Sequence, residues 1–174
     1  MKKIFLIIIC LLIANSASAG FRSPLKELSE KKSWGELIKI QSYNAEDYLV
    51  IKEGRHKDRP VKVDALITYP KGEGPFPVLI IVHSSGGPGE FNSKWYKYHK
   101  QSARSLLKKG IAIMFLDNYS ARGAVHTFAD QSQVALFSGY IDAFMALEYL
   151  SKDPKINIKK VGISGYSRGG MISI

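Results

Sequence analysis

The sequence predicts an α/β domain on a mostly parallel sheet, with an antiparallel flank formed by its N-terminal strands. Three observations carry this. Short apolar runs at 78–82, 111–116 and 161–163 alternate with longer amphipathic stretches, the order that yields parallel strands joined by right-handed helical crossovers. Ahead of them, segments of period-two alternation follow one another with no helical stretch between. Finally, Gly165-Tyr166-Ser167-Arg168-Gly169 directly follows the third apolar run, as a tight strand-to-helix turn would.

Residues 1–19 read as an export signal, leaving 20–174 as one domain. Lys2 and Lys3 form a charged start, Ile4 to Ile13 an apolar run, and Ala17-Ser18-Ala19 a small-residue cleavage site. That run is shorter than the roughly 20 residues a bilayer span needs. Cys10, the only cysteine, lies inside it behind the bulky Ile9, so neither a lipid anchor nor any other stable membrane anchor is expected. The domain then has no disulfide, no cysteine–metal site and no cysteine nucleophile. A periplasmic or extracellular location follows as an expectation. The net charge is +10, and two of those charges belong to the leader. The remaining lysines are scattered in pairs such as Lys31-Lys32, Lys108-Lys109 and Lys159-Lys160, with no basic run interleaved with aromatics, which argues against nucleic-acid binding. No repeat or linker divides the domain, and its oligomeric state is not legible.

In chain order, residues 24–34 read as a short polar lead-in. Leu37–Tyr43 and Tyr48–Lys52 alternate as half-buried strands do, and Val61–Tyr69 repeats the pattern with Val61, Val63, Ala65 and Ile67 on one face. Gly54–Asp58 forms the turn before it. After the Gly- and Pro-rich stretch 71–77, Val78–Val82 is uninterrupted apolar sequence, the mark of a strand buried on both faces. A helix is expected over 93–109, with Trp95, Tyr98, Ala103, Leu106 and Leu107 as its apolar stripe and Gly110 as its stop. Ile111–Leu116 is the second buried strand. Beyond a loop at 118–127, a long helix runs from Asp130 to Lys152, with Asp130 and Gln133 at capping-box spacing. Val134, Phe137, Ile141, Phe144, Ala146, Leu147 and Leu150 form its core face. Lys160–Ile163 is the third buried strand, and the 165–169 turn opens a helix.

A bare Gly-x-Ser-x-Gly is a weak signal; its position between strand and helix makes it a strong one. There the serine is raised on a turn that only glycines permit, so Ser167 is the candidate nucleophile for acyl transfer. A glycine-rich phosphate-binding turn is the plainer alternative, but the spacing matches neither the dinucleotide fingerprint nor the P-loop. Acyl transfer also needs two N–H donors aimed at the developing oxyanion. Arg168 supplies one, and the loop His83-Ser84-Ser85-Gly86-Gly87-Pro88-Gly89 after the first buried strand supplies the other, at Ser85. His83 reads as a loop brace rather than a general base. Asp117 and Arg122 read as a loop-bracing pair, with a place at the pocket edge as the functional alternative. Tyr166 stands beside the serine, and with His83, Asp117 and Arg122 it completes the candidate pocket. This chemistry calls for no cofactor and no metal.

With these residues in view, the chain resembles the α/β-hydrolases, and in particular their dienelactone hydrolase-like branch. The likeness rests on Pro75-Phe76-Pro77-Val78, His83-x-x-Gly86-Gly87, Asp117-Asn118-Tyr119-Ser120-Ala121-Arg122-Gly123, Asp153-Pro154 and Val161–Gly170, and it runs from about Val61 to Ile174. It implies the α/β-hydrolase fold and attack by Ser167 on a carboxylic ester or lactone through an acyl-enzyme. Two departures stand out. Serine replaces the branch's cysteine nucleophile, and Ser84 replaces the glycine that usually follows the histidine, which puts a side chain where it would narrow the acyl pocket or move the donor. In this family the acid and the histidine follow the serine, whereas His56, His83, His99 and His126 all precede it. The expectation is therefore an N-terminal part, truncated after the nucleophile turn and inactive alone. A serine peptidase and a non-catalytic, hydrolase-like binding protein are the competing readings.

Overall fold

The computed structural model describes residues 23–32, 34–93 and 97–174. The expected signal at 1–19 and Trp95 lie outside the described residues. Five strands form one sheet: β1 (Glu36–Tyr43), β2 (Pro60–Thr68), β3 (Phe76–Val82), β4 (Ala112–Asp117) and β5 (Ile156–Gly165), in the order β1-β2-β4-β3-β5. β1 and β2 pair antiparallel, as do β2 and β4, while β3 runs parallel to both β4 and β5. This is the mixed sheet the alternation predicts. The register sets Val82 beside both Leu116 and Gly165, so the segments after β3, β4 and β5 leave the sheet at one end. In open α/β sheets that carboxyl end is where sites form.

Side-chain alternation along the strands divides the core between the two faces. Ala112, Met114 and Leu116 of β4 join Val78, Ile80 and Val82 of β3 on one face, covered by α4 (Leu136–Ser151) and α5 (Arg168–Ile172). Ile113 and Phe115 join Leu66 and Ile81 on the other, covered by α1 (Pro24–Lys32), α3 (Lys97–Lys108) and Phe91. Every residue of β4 is buried, as befits a strand with a neighbour on each side and helices above and below.

Several elements depart from the sequence expectation, each for a local reason. The lead-in is the helix α1: Leu25 and Leu28 are fully buried, and Pro24 and Glu27 suit a first turn whose Leu25 N–H reaches Ser23 Oγ at 3.3 Å. Tyr48–Lys52 is the one-turn helix α2 rather than a strand, started by Asp47, whose carboxylate accepts from Val50 N at 2.9 Å. On α3, Ala103, Leu106 and Leu107 pack inward as expected, but Tyr98 is exposed and His99 is buried. His99 meets Phe91 edge-on at 5.5 Å between centroids. The long helix begins at Leu136, and Asp130 caps a short 3-10 turn at Gln131–Gln133 through Ser132 N instead of Gln133. The buried face of α4 is Ser138, Gly139, Asp142, Ala146 and Leu150, leaving Phe144 and Leu147 exposed. β5, expected to be buried, is the edge strand, and from Asn157 to Gly165 none of its residues is buried.

Candidate active site

β5 ends at Gly165 and α5 begins at Arg168, so Tyr166 and Ser167 alone make the turn. Ser167 has φ 52° and ψ −119°, the one positive φ among the described non-glycine residues. Such a conformation costs on the order of 1–3 kcal/mol and persists only where the surroundings enforce it. The enforcement is visible. A Cβ on Gly165 would lie 2.8 Å from Gly169 Cα, and one on Gly169 would lie 2.6 Å from His83 O. These two glycines let the turn close on itself and on the end of β3. Gly169 N donates to Tyr166 O at 2.9 Å and Met171 N to Ser167 O at 3.1 Å. Ser167 is exposed at the tip, and its hydroxyl caps no backbone N–H.

Three N–H groups of the loop after β3 are occupied. Ser84 N donates to Glu90 Oε2 at 3.0 Å, Gly86 N to Ser84 Oγ at 3.1 Å, and Gly87 N to Ser84 O at 3.1 Å. Ser85 N has no acceptor among the described residues, and neither has Arg168 N at the start of α5. Ser85 and Arg168 are the two residues expected to form the oxyanion hole. Ser84, the serine in place of glycine, does not enter a pocket. Its hydroxyl donates to the buried Glu90 carboxylate and accepts from Gly86, so it shapes the loop from inside.

The other candidate pocket residues turn out to be interior braces. His83 is buried: Nε2 accepts from Asn118 N at 3.2 Å, and Nδ1 donates to Ser84 O at 2.8 Å. Both nitrogens are thus taken by the neutral ring, whose pKa burial pulls below its usual 6.5. Asp117 accepts from Tyr119 N, Ser120 N and Ser23 Oγ, at 3.0, 2.9 and 2.6 Å. It does not pair with Arg122, contrary to the sequence expectation. The guanidinium instead grips Asp142 of α4 two-pronged, Nη1 to Oδ2 at 2.8 Å and Nη2 to Oδ1 at 2.9 Å, and reaches Asn44 Oδ1 at 2.7 Å. The hydrogen bonds of His83, Asp117 and Arg122 brace the loops that follow β3 and β4. No hydrogen bond links any of the four histidines to Ser167. Tyr166 alone of that set is open to solvent, 65% exposed next to the serine. Val125 and Phe128 are exposed on the 125–128 segment, which is tied to the β3 loop by Thr127 N donating to Ser85 O at 2.8 Å. His126 stacks on Phe128 at 5.3 Å between centroids.

Sequence reasoning missed three residues that organise this end of the sheet. Glu90 anchors the β3 loop, and Asp142 anchors Arg122. Gln131 accepts at Oε1 from Ser85 Oγ at 3.0 Å and from Arg168 Nη1 at 3.1 Å. Asp142 had a signal, because Ser138, Asp142, Ala146 and Leu150 share one helical face at a spacing of four. Glu90 and Gln131 had none: Glu90 reaches back six residues within an irregular loop, and Gln131 reaches Ser85 and Arg168, both remote in sequence. Among the described residues no group of three His, Cys, Asp or Glu side chains is placed to hold a metal ion.

No family model matches the chain. It is 29% identical over 134 residues to the esterase EstD of Thermotoga maritima, covering 75% of this chain and 31% of that protein. The chain thus spans less than a third of that relative's length. Two solved structures share its architecture at a TM-score of 0.50. Est1E of Butyrivibrio proteoclasticus, with ferulic acid bound, is 21% identical over 64% of this chain and 41% of its own. A CE15 glucuronoyl esterase from Teredinibacter turnerae is 15% identical over 79% of this chain and 36% of its own.

Proposed function

The chain has the α/β-hydrolase fold, and from that premise we propose that the protein is a serine hydrolase of carboxylic esters or lactones. The observation that carries this reading is the strained, exposed Ser167 with two unpartnered N–H groups, Arg168 and Ser85, on the adjoining segments. The likeness to an esterase supports the substrate class, and the dienelactone hydrolase-like motifs support inclusion of lactones.

In this mechanism Ser167 Oγ attacks the carbonyl carbon and gives up its proton to a histidine. A serine hydroxyl at neutral pH is a poor nucleophile without such a base. His83 has no nitrogen to offer as that base. The carbonyl oxygen becomes an oxyanion facing the N–H groups of Arg168 and Ser85, which stabilise the tetrahedral intermediate. Collapse releases the alcohol, protonated by the histidine, and leaves the acyl group on Ser167. Water, deprotonated by the same base, then attacks the acyl carbon, freeing the acid and restoring the serine. The leader at 1–19 would place this activity outside the cytoplasm.

Treating the full-length protein with a fluorophosphonate probe tests the assignment. Labelling is expected in the parent and lost in Ser167→Ala; labelling that persists unchanged in the variant sinks it.

A further inference from the structure

If Ser167 forms an acyl-enzyme as proposed, the N–H groups of Ser85 and Arg168 must converge on one oxygen. Hydrogen bonds weaken steeply as distance and angle depart from their optimum, so the relative placement of two segments remote in sequence becomes part of the chemistry. Backbone packing fixes part of it, since Gly169 closes against His83 O. Ser85, however, lies two residues further along a loop that also turns at Gly86 and Gly87.

One side chain spans that interval. Gln131 Oε1 accepts from Ser85 Oγ at 3.0 Å, from Arg168 Nη1 at 3.1 Å and from Thr127 Oγ1 at 3.3 Å. Its Nε2 donates to Thr127 O at 2.8 Å, and Thr127 N in turn holds Ser85 O at 2.8 Å. The backbone oxygen of Gln131 accepts a further bond from Arg168 Nη1 at 3.2 Å, and Arg168 Nη2 donates to Val134 O. Both donor-bearing residues are therefore tied, by their own side chains, to one oxygen atom of one amide. The Gln131 backbone is held by the Asp130 cap at the start of its 3-10 turn.

We propose that Gln131 is a positioning residue for catalysis, which holds the two oxyanion donors, Ser85 N–H and Arg168 N–H, at a single spacing. Gln131 is exposed, so its removal opens no core cavity and costs the fold little. Its loss should instead loosen the donors in the transition state. This inference rests on the serine-hydrolase reading, and the two fail in different ways.

The test uses the full-length protein with p-nitrophenyl acetate, with active sites counted by fluorophosphonate titration. Gln131→Met matches the side chain in length but neither accepts nor donates as the amide does. It is expected to lower kcat per titrated site about tenfold, as small misplacements of reacting groups do, with KM within about twofold of the parent. Gln131→Glu, which keeps an acceptor oxygen, should recover part of that loss. Ser85→Ala removes one tie but not the backbone donor and should lower kcat about threefold; combined with Gln131→Met it should add nothing further, because both break the same tie. An unchanged kcat per titrated site, a rise in KM alone, or full additivity of the two changes would overturn the proposal. If Gln131→Met does not fold, an unchanged kcat in Ser85→Ala overturns it instead. If Ser167→Ala turns over as fast as the parent, the serine reading fails and this inference goes with it.

Discussion

Ser167 and His83 carry opposite kinds of tension. Ser167 is exposed, with a backbone angle (φ 52°) that glycine would adopt freely. Ser167→Gly should therefore stabilise the protein by about 1 kcal/mol against urea while removing the nucleophile. A variant no more stable than the parent would show that the turn is not strained. His83 is relaxed in geometry but enclosed, and desolvation lowers its pKa against the opposing pull of the Asp117 carboxylate. The unfolded chain therefore takes up a proton near pH 6.5 where the folded one does not. Stability from this source is complete above the unfolded pKa and declines as pH falls below it, by up to about 1.4 kcal/mol per pH unit for each such group. His99, whose pKa burial also lowers, adds to the same slope. The urea midpoint is expected to drop between about pH 6.5 and 5.5. His83→Gln, which can still donate and accept, should flatten that drop; an equal slope in the variant would exclude His83 as its source.

Between elements, the decisive contact is Asp142 on α4. Its carboxylate is wholly enclosed, and besides Arg122 it accepts from Ser42 Oγ of β1 at 2.5 Å and Asn118 Nδ2 at 2.7 Å. One buried charge thus ties α4, β1 and the loop after β4 together. Removing its counter-charge should be costly: Arg122→Ala is expected to destabilise the fold by about 3–5 kcal/mol, as stranding a buried ion does. Replacing both partners, Arg122→Met with Asp142→Leu, should restore much of that. Denaturant titration of the two variants decides it, and equal losses in the single and double variants would mean the pair has no such role. This network also explains a difference at helix level. Counting apolar residues placed Phe144 and Leu147 inward, but the helix turns Asp142 inward because its carboxylate finds three partners there. In the same way the period-two reading of 48–52 gave way to a helix, since five residues are too few for periodicity to outweigh the Asp47 cap. α1 was missed because only Leu25 and Leu28 mark its buried side.

Across the whole molecule, β1 and β5 are the two edges of the sheet among the described residues. A groove of about 400 Å³ runs beside β5, lined by Ile80, Phe144, Leu147, Ile158, Ile163 and Ile174 among others. An unpaired strand edge with apolar residues around it invites contact between chains. The 174-residue chain by itself is expected to associate with rising concentration, and Phe144→Lys with Ile158→Lys should reduce this in light scattering. Scattering that stays at the monomer value in the unaltered chain would refute the expectation.

By itself, the sequence determined the strand-and-helix order from β2 onward, the mixed sheet and the turn that raises Ser167, because these follow from local hydrophobic runs and from the glycines of that turn. Its expectation of oxyanion donors at Ser85 and Arg168 rests on their distance along the chain from a strand end. Only the tertiary structure decided which polar groups stand behind the site. Arg122 chose Asp142 over Asp117, Glu90 drew the Ser84 hydroxyl inward, and Gln131 reached both donor residues. Such choices depend on which side chains the folded sheet brings within hydrogen-bond reach, and burial makes each unsatisfied alternative costly. No spacing along the chain records that.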